Sequence, residues 1–229
     1  MNFTEQEIKI ANATSRSNGA SAINPDGTIR AVVPNFIFKN IEDYRDKTLL
    51  DFGSGKNPIH TKWLRENGLN VTAYDFGNNC IEGVHDKNAL DKRYDVIFAS
   101  NVLNVQSSDV MMMVTVYQIY NSLKKGGTFI FNYPTSPRKT DMVEWEVIGL
   151  VSDIFKAEVV NNEGIFTIVK PEDTDKKIFI NIRKGLIEEI YCSDPDMEVC
   201  IINHDADYED IIKINNEAVK EQKNYYKID

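Results

Sequence analysis

The chain has 229 residues, 42% of them hydrophobic and 27% charged, with a formal net charge of -9. That length holds one domain of moderate size, or one with a small appendage, and the composition is that of an ordinary globular protein. The charge argues against broad, non-specific adhesion to nucleic acid, and no stretch approaches the roughly 20 apolar residues of a membrane span. The three cysteines, Cys80, Cys192 and Cys200, lack metal-ligand spacing, so no metal is expected. An odd, sparse set of thiols suits a reducing compartment, and the polar start has no central apolar run. The expected location is the cytoplasm.

Residues 1–43 are mixed in character. A short helix at 3–11 and a loop at 12–27 precede an apolar stretch, 30–38, that can dock on a core. The segment reads as a lid or substrate-shaping piece, with Ser15, Arg16 and Ser17 as its polar candidates. Then Thr48-Leu49-Leu50 leads through Asp51 into Phe52-Gly53-Ser54-Gly55-Lys56-Asn57-Pro58. This predicts a buried strand that turns sharply into a helix over 58–67, with Asn57 as cap and Pro58 in the first helical position. Ile59, Trp63 and Leu64 share one face of that helix, and Gly68 suits its C-terminal cap. A second strand, 71–76, brings Asp75 to the same end of the sheet. Such a turn is expected to aim backbone N–H groups at a ligand above the strand end, and such an acid can accept both hydroxyls of a ribose.

The turn departs from the dinucleotide pattern G-x-G-x-x-G: Pro58 stands where the third glycine would be. Asp51, two residues before Gly53, would repel a pyrophosphate and suit a cationic amino-acid ligand. The segment resembles motif I of the class I S-adenosylmethionine-dependent methyltransferases, and Asp75 resembles their ribose-binding acid; the resemblance covers roughly residues 47–170. It implies S-adenosyl-L-methionine as cofactor, held by Asp51, Phe52, Gly53, Ser54, Gly55, Asn57, Asp75 and Phe76, with Ser100 beside them. Residues 77–91 read as loop, and Asp86 and Asn88 stand where such enzymes often hold the adenine ring.

The next strand, 94–100, is apolar and buried, and Asn101-Val102-Leu103-Asn104-Val105 follows at its reactive end. Asn101 and Asn104 are the candidates for orienting the methyl acceptor. The segment lacks the Asn/Asp-Pro-Pro-aromatic run of amino-methylating DNA enzymes and the Pro-Cys of cytosine C5 enzymes. It looks like one found in methyltransferases associated with DNA phosphorothioation. Ser107 or Ser108 caps a helix whose apolar face is read as Val110, Met113, Val114, Tyr117 and Tyr120, with Met111-Met112-Met113 as packing. Lys124-Lys125-Gly126-Gly127 is expected to end that helix with cations and a glycine cap.

A strand at 128–133 leads into a small basic loop, 136–139, and a helix at 141–155 presents Val143, Val147, Leu150, Val151 and Ile154 on one face. The segments 157–161 and 164–170 flank a hairpin turn at Asn162-Glu163. Alternating strands and helices argue for a parallel sheet covered on both faces. The resemblance implies a Rossmann-like, mostly parallel seven-stranded sheet with a closing antiparallel hairpin.

Three parts are therefore expected: 1–43, a methyltransferase domain at 44–171, and a small C-terminal α+β module at 177–229. In that module a hairpin (177–183 and 186–191) precedes a strand at 197–203 and a helix from 207 to roughly 225. Its run 180–207 resembles a β-rich module at the ends of assorted bacterial and phage proteins, and Asp194, Asp196, Asp205 and Asp207 lack EF-hand spacing. The functional expectation is a methyltransferase with a nucleic-acid or small-molecule acceptor, without a membrane partner. A non-catalytic cofactor-binding or interaction protein on the same fold, and an NAD-dependent oxidoreductase, are the alternatives.

Overall fold

The computed structural model describes residues 24, 29–134 and 141–172 and the strands 178–183 and 186–192, with isolated positions 6 and 9. The chain divides into two compact units, Met1–Thr174 and Asp175–Asp229. In the second unit, β7 (Ile178–Arg183) and β8 (Leu186–Cys192) form an antiparallel hairpin. The expected strand at 197–203, the helix beyond it, the acidic cluster, Ser15, Arg16, Ser17 and the basic loop at 136–139 all lie outside the described residues.

The first unit alternates strand and helix: α1 (Val32–Lys39), β1 (Thr48–Phe52), α2 (Ile59–Glu66), β2 (Asn70–Tyr74), β3 (Tyr94–Ala99), α3 (Asp109–Ser122), β4 (Leu123–Asn132), α4 (Glu144–Phe155), β5 (Val160–Asn162) and β6 (Ile165–Val169). The sheet order is β2-β1-β3-β4-β6-β5. β2, β1, β3 and β4 run parallel, and β6 pairs antiparallel with both β4 and β5. This is the expected Rossmann-like sheet with its closing hairpin, but among the described residues it has six strands where seven were expected. β2 is an edge strand. There, residues 75–93 form short 3-10 turns at Gly77–Asn79 and Ala89–Asp91, and the Asp86 N–H bonds the Ala73 carbonyl at 3.0 Å. A polar segment with no apolar alternation has no face to bury, so it borders the sheet without adding a strand.

Both faces of the sheet are covered, as parallel sheets require. Leu50, Phe52, Ile97, Phe129 and Phe131 pack under α3 and α4 against Met112, Val116, Ile119, Val147, Val151 and Phe155. Leu49, Val71, Val96, Phe98 and Ile130 pack on the other face against Val33, Ile37 and Leu64 of α1 and α2.

The helices differ from expectation in detail. α2 starts at Ile59, with Pro58 in the cap position and Asn57 exposed. Its buried side chains are His60, Thr61 and Leu64, whereas Ile59 and Trp63 are half-buried. Gly68 closes it as expected, at φ +91°, with its N–H on the Arg65 carbonyl. In α3 the Ser108 hydroxyl accepts the Met111 N–H at 3.2 Å, the expected cap. The buried face of α3 is broader than the expected one: Val114 and Tyr120 are buried as expected, Met111, Met112, Val116 and Ile119 are buried with them, and Val110 is exposed. A helix apolar nearly all round gives periodicity too weak to select a face.

Lys124-Lys125-Gly126-Gly127 does not cap α3, because the chain becomes extended at Leu123 and the four residues belong to β4. Leu123 pairs with Tyr94, the register shifts before Val96, and Gly126 takes φ +73°. A Cβ on Gly127 would stand 2.9 Å from the Lys124 carbonyl and 3.1 Å from that of Asp95, so the glycines permit a bulge. The cation at the end of α3 is Lys170 instead. Its Nζ donates to the Tyr120 and Leu123 carbonyls at 2.9 and 3.1 Å and lies 4.2 Å from the Tyr120 ring centroid. Burial pulls this lysine down to about 8, with Arg93 and Lys125 adding to the effect.

Asp95 ties the same end of the sheet. Its Oδ2 accepts the Thr48 N–H and hydroxyl at 2.9 and 2.6 Å, and Lys124 Nζ reaches its two oxygens at 2.8 and 2.9 Å. Partial burial opposes its charge, but the bonds from Lys124 and Thr48 win and hold the carboxyl at about 2. A depressed carboxyl stabilises the fold above its unfolded value of 3.8 and loses that contribution as pH falls towards 2. The melting temperature is therefore expected to fall between pH 4 and 2, and to fall less steeply in Asp95→Asn; equal slopes in the two proteins would refute the role.

Candidate cofactor site

The chemistry hangs from the C-terminal ends of β1, β2 and β3. Gly53 and Gly55 both take φ +76°, the left-handed region that glycine enters without strain. The Gly53 and Ser54 N–H groups donate to the Tyr74 carbonyl at 2.9 and 3.0 Å, and the Gly55 N–H donates to Asp75 Oδ2 at 2.6 Å. The turn was expected to present these N–H groups to a ligand, and it does not. β2 ends beside the turn and takes all three donors. Gly53, Ser54 and Gly55 therefore have no N–H left for a ligand, and the Asp75 carboxylate stands beside them.

Asp75 is buried, and its Oδ1 accepts the Phe76 N–H at 2.7 Å and the Asn79 amide at 3.0 Å. A carboxylate has about four acceptor positions, so three bonds leave room for one more. Asp51 lies beneath the turn, 3% exposed, with its Oδ2 accepting the Thr61 hydroxyl at 2.6 Å. Burial pushes its carboxyl up to about 7, the Thr61 bond works against that, and the charge of Asp75 adds to it. Ser54 is buried, with its hydroxyl on the Tyr74 carbonyl at 3.2 Å. The Phe52 ring is wholly buried and packs against Tyr74 and Phe76, with centroids 5.3 and 5.4 Å away, so it supports the turn from the core. Phe76 is half-buried.

Asp86 and Asn88 form a turn of their own: Asp86 Oδ1 accepts the Asn88 N–H at 2.9 Å, and Oδ2 pairs with Lys92 at 2.6 Å. Those bonds and the charge of Lys92 hold Asp86 below the usual carboxylate range against partial burial. Asn88 is exposed.

After β3, Val102 closes over the turn. A Cβ on Gly53 would stand 2.6 Å from Val102 Cγ2. Asn101 takes φ +57° and joins Asn132 at the end of β4 by two bonds of 2.9 Å: the Asn101 N–H donates to Asn132 Oδ1, and Asn132 Nδ2 donates to Asn101 Oδ1. Asn104 is 8% exposed, and its Oδ1 has no partner; the Ser100 hydroxyl is likewise unpartnered. The structure thus brings Asp51, the glycine turn and Asp75 together, sets Asp86 and Asn88 in a separate turn, and leaves Asn57 exposed. Thr61, Asn79, His85, Val102 and Asn132 belong to the same assembly and carry no motif. Among them Val102, in the segment after β3, and Asn132, at the end of a buried apolar strand, had a positional signal.

The methyltransferase domain family matches residues 27–163, more than half of the chain. The chain belongs to that family. No curated protein matches the chain. Among solved structures, it is similar to a 1,6-didemethyltoxoflavin-N1-methyltransferase of Burkholderia thailandensis, bound to 1,6-didemethyltoxoflavin and S-adenosylhomocysteine: 18% identity, 61% of this chain and 76% of that one covered, TM-score 0.45. It is also similar to an S-adenosylmethionine-dependent methyltransferase of Geobacter sulfurreducens in complex with S-adenosylhomocysteine: 14% identity, 70% and 74% covered, TM-score 0.42. TehB of Haemophilus influenzae is a third, at 14% identity, 59% and 61% coverage and TM-score 0.42. These findings do not extend to the phosphorothioation likeness. Among the described residues, no helix is long and apolar enough to cross a membrane and no group of acids, His and Cys gathers as a metal site.

Proposed function

We propose that the protein transfers the methyl group of S-adenosyl-L-methionine to an acceptor, a nucleic acid or a small molecule, that meets it beyond the end of β3. The observation that carries this reading is the spent donor set of the turn. Gly53, Ser54 and Gly55 give their N–H groups to Tyr74 and Asp75, and Asp51 adds a buried carboxyl at the end of β1. A pyrophosphate needs the opposite, free N–H groups facing it. A phosphate-free, cationic ligand fits, which favours the methyl donor over a nicotinamide dinucleotide. Bound there, S-adenosyl-L-methionine supplies a methyl already activated by a sulfonium.

The remaining work falls to this chain's residues. Asp51, buried beneath the turn, favours the cationic end through its charge, Asp75 keeps an acceptor position for the ribose, and the packed loop of Val102 excludes water. Asn101 is held through Asn132 and positions the loop, while the unpaired Asn104 oxygen accepts a hydrogen bond from an amino or hydroxyl nucleophile. Asn104→Ala is expected to slow transfer of labelled methyl about 10–100-fold, the scale of a lost alignment. Affinity for S-adenosylhomocysteine should stay within about threefold. An unchanged rate in a folded variant would remove Asn104 from the reaction, and binding without transfer to any acceptor class would favour the non-catalytic alternative.

A further inference from the structure

His85 sits in the loop after β2, 30 residues from the glycine turn, and is 8% exposed. Both ring nitrogens are committed. The Ile81 N–H donates to Nδ1 at 3.0 Å, so Nδ1 carries no proton. Nε2 lies 2.8 Å from the Gly55 carbonyl, which can only accept, so Nε2 carries the proton and donates. Only the neutral Nε2–H ring satisfies both bonds. The Gly55 residue is thereby gripped twice: Asp75 takes its N–H, and His85 holds its carbonyl.

We infer that His85 is a positioning residue for the cofactor turn, acting through its Nε2–H tautomer. This rests on the turn's being the cofactor site. Without the ring the Gly55 carbonyl loses its brace.

The charged and titratable groups around His85 come from several elements. Asp75 lies across the Gly55 N–H at the end of β2, and Cys80 and Lys87 share the loop of His85. Asp86 is next to it in sequence and neutralised by Lys92. Asp51 at the end of β1 and His60 on α2 are buried. The decisive comparison is between the wild type and a variant that keeps the donor at position 85. In His85→Gln the side-chain amide places an N–H where Nε2–H stands and carries no titratable group.

The test is equilibrium binding of S-adenosylhomocysteine to the full chain at pH 8. His85→Ala should bind about tenfold more weakly, the value of one hydrogen bond. His85→Gln, which keeps the donor, should bind within about threefold of wild type. Wild-type affinity in His85→Ala, or a His85→Gln protein as weak as His85→Ala, would overturn the inference. Failure of the wild type to bind at pH 8 would instead defeat the proposed ligand. Nitrogen NMR of the ligand-free protein then decides the brace: an Nε2–H ring upholds it and an Nδ1–H ring overturns it.

Discussion

Asp75→Ala is expected to weaken binding of S-adenosylhomocysteine by about 1.5–3 kcal/mol, the scale of hydrogen bonds to a charged group. Two losses add. The ligand loses the acceptor position that the carboxylate keeps for a ribose hydroxyl. The turn loses the bond from the Gly55 N–H, and Phe76 and Asn79 lose their shared anchor. Asp75→Asn separates the two, since one amide oxygen can still serve the Gly55 N–H while the charge is gone; its affinity should fall between those of parent and alanine variant. Calorimetric titration, with circular dichroism to establish folding, measures both. A folded Asp75→Ala protein that binds as the parent does would show that the site lies elsewhere.

Gly53→Val should cost more, and for a reason different from the one the turn suggests in isolation. In isolation such a turn suggests that a side chain there would obstruct a ligand. The structure puts the Val102 side chain in that space, 2.6 Å from a Cβ, with Val102 itself buried at 4% exposure. A β-branched residue at φ +76° adds backbone strain of about 1–3 kcal/mol. Overpacking a closed contact adds about 1–3 kcal/mol more. We expect thermal stability to drop and S-adenosylhomocysteine binding to fall below that of Asp75→Ala. Val102→Ala in the same chain should recover part of the stability, because the two side chains compete for one volume. Additive losses in the double variant would mean that Val102 does not close over the turn.

How far the sequence shows this follows from what each residue does. Leu49, Leu50, Val96, Ile97 and Phe98 form uninterrupted apolar runs because their strands are buried on both faces, and such runs are visible without coordinates. Asp51, Gly53, Gly55 and Asp75 are visible because their spacing follows the backbone of one strand-turn-helix-strand unit. His85, Asn79 and Asn132 act through contacts formed when distant segments meet, and a lone polar residue in a loop has no period to betray it. The direction of the turn's N–H groups was misread for the same reason. Their acceptor, the Tyr74 carbonyl, belongs to the next strand, and only its register beside β1 brings it there. At Lys124-Lys125-Gly126-Gly127 the composition of a helix end was present, but the pairing of Leu123 with Tyr94 made it a strand with a bulge.

The most direct test of the central claim is calorimetric titration of the full chain at pH 8 with S-adenosylhomocysteine and, separately, with NAD. A turn whose donors are spent, with Asp51 beneath it and Asp75 beside it, should bind S-adenosylhomocysteine at one site per chain and leave NAD unbound. Binding of NAD with no heat from S-adenosylhomocysteine would contradict the account.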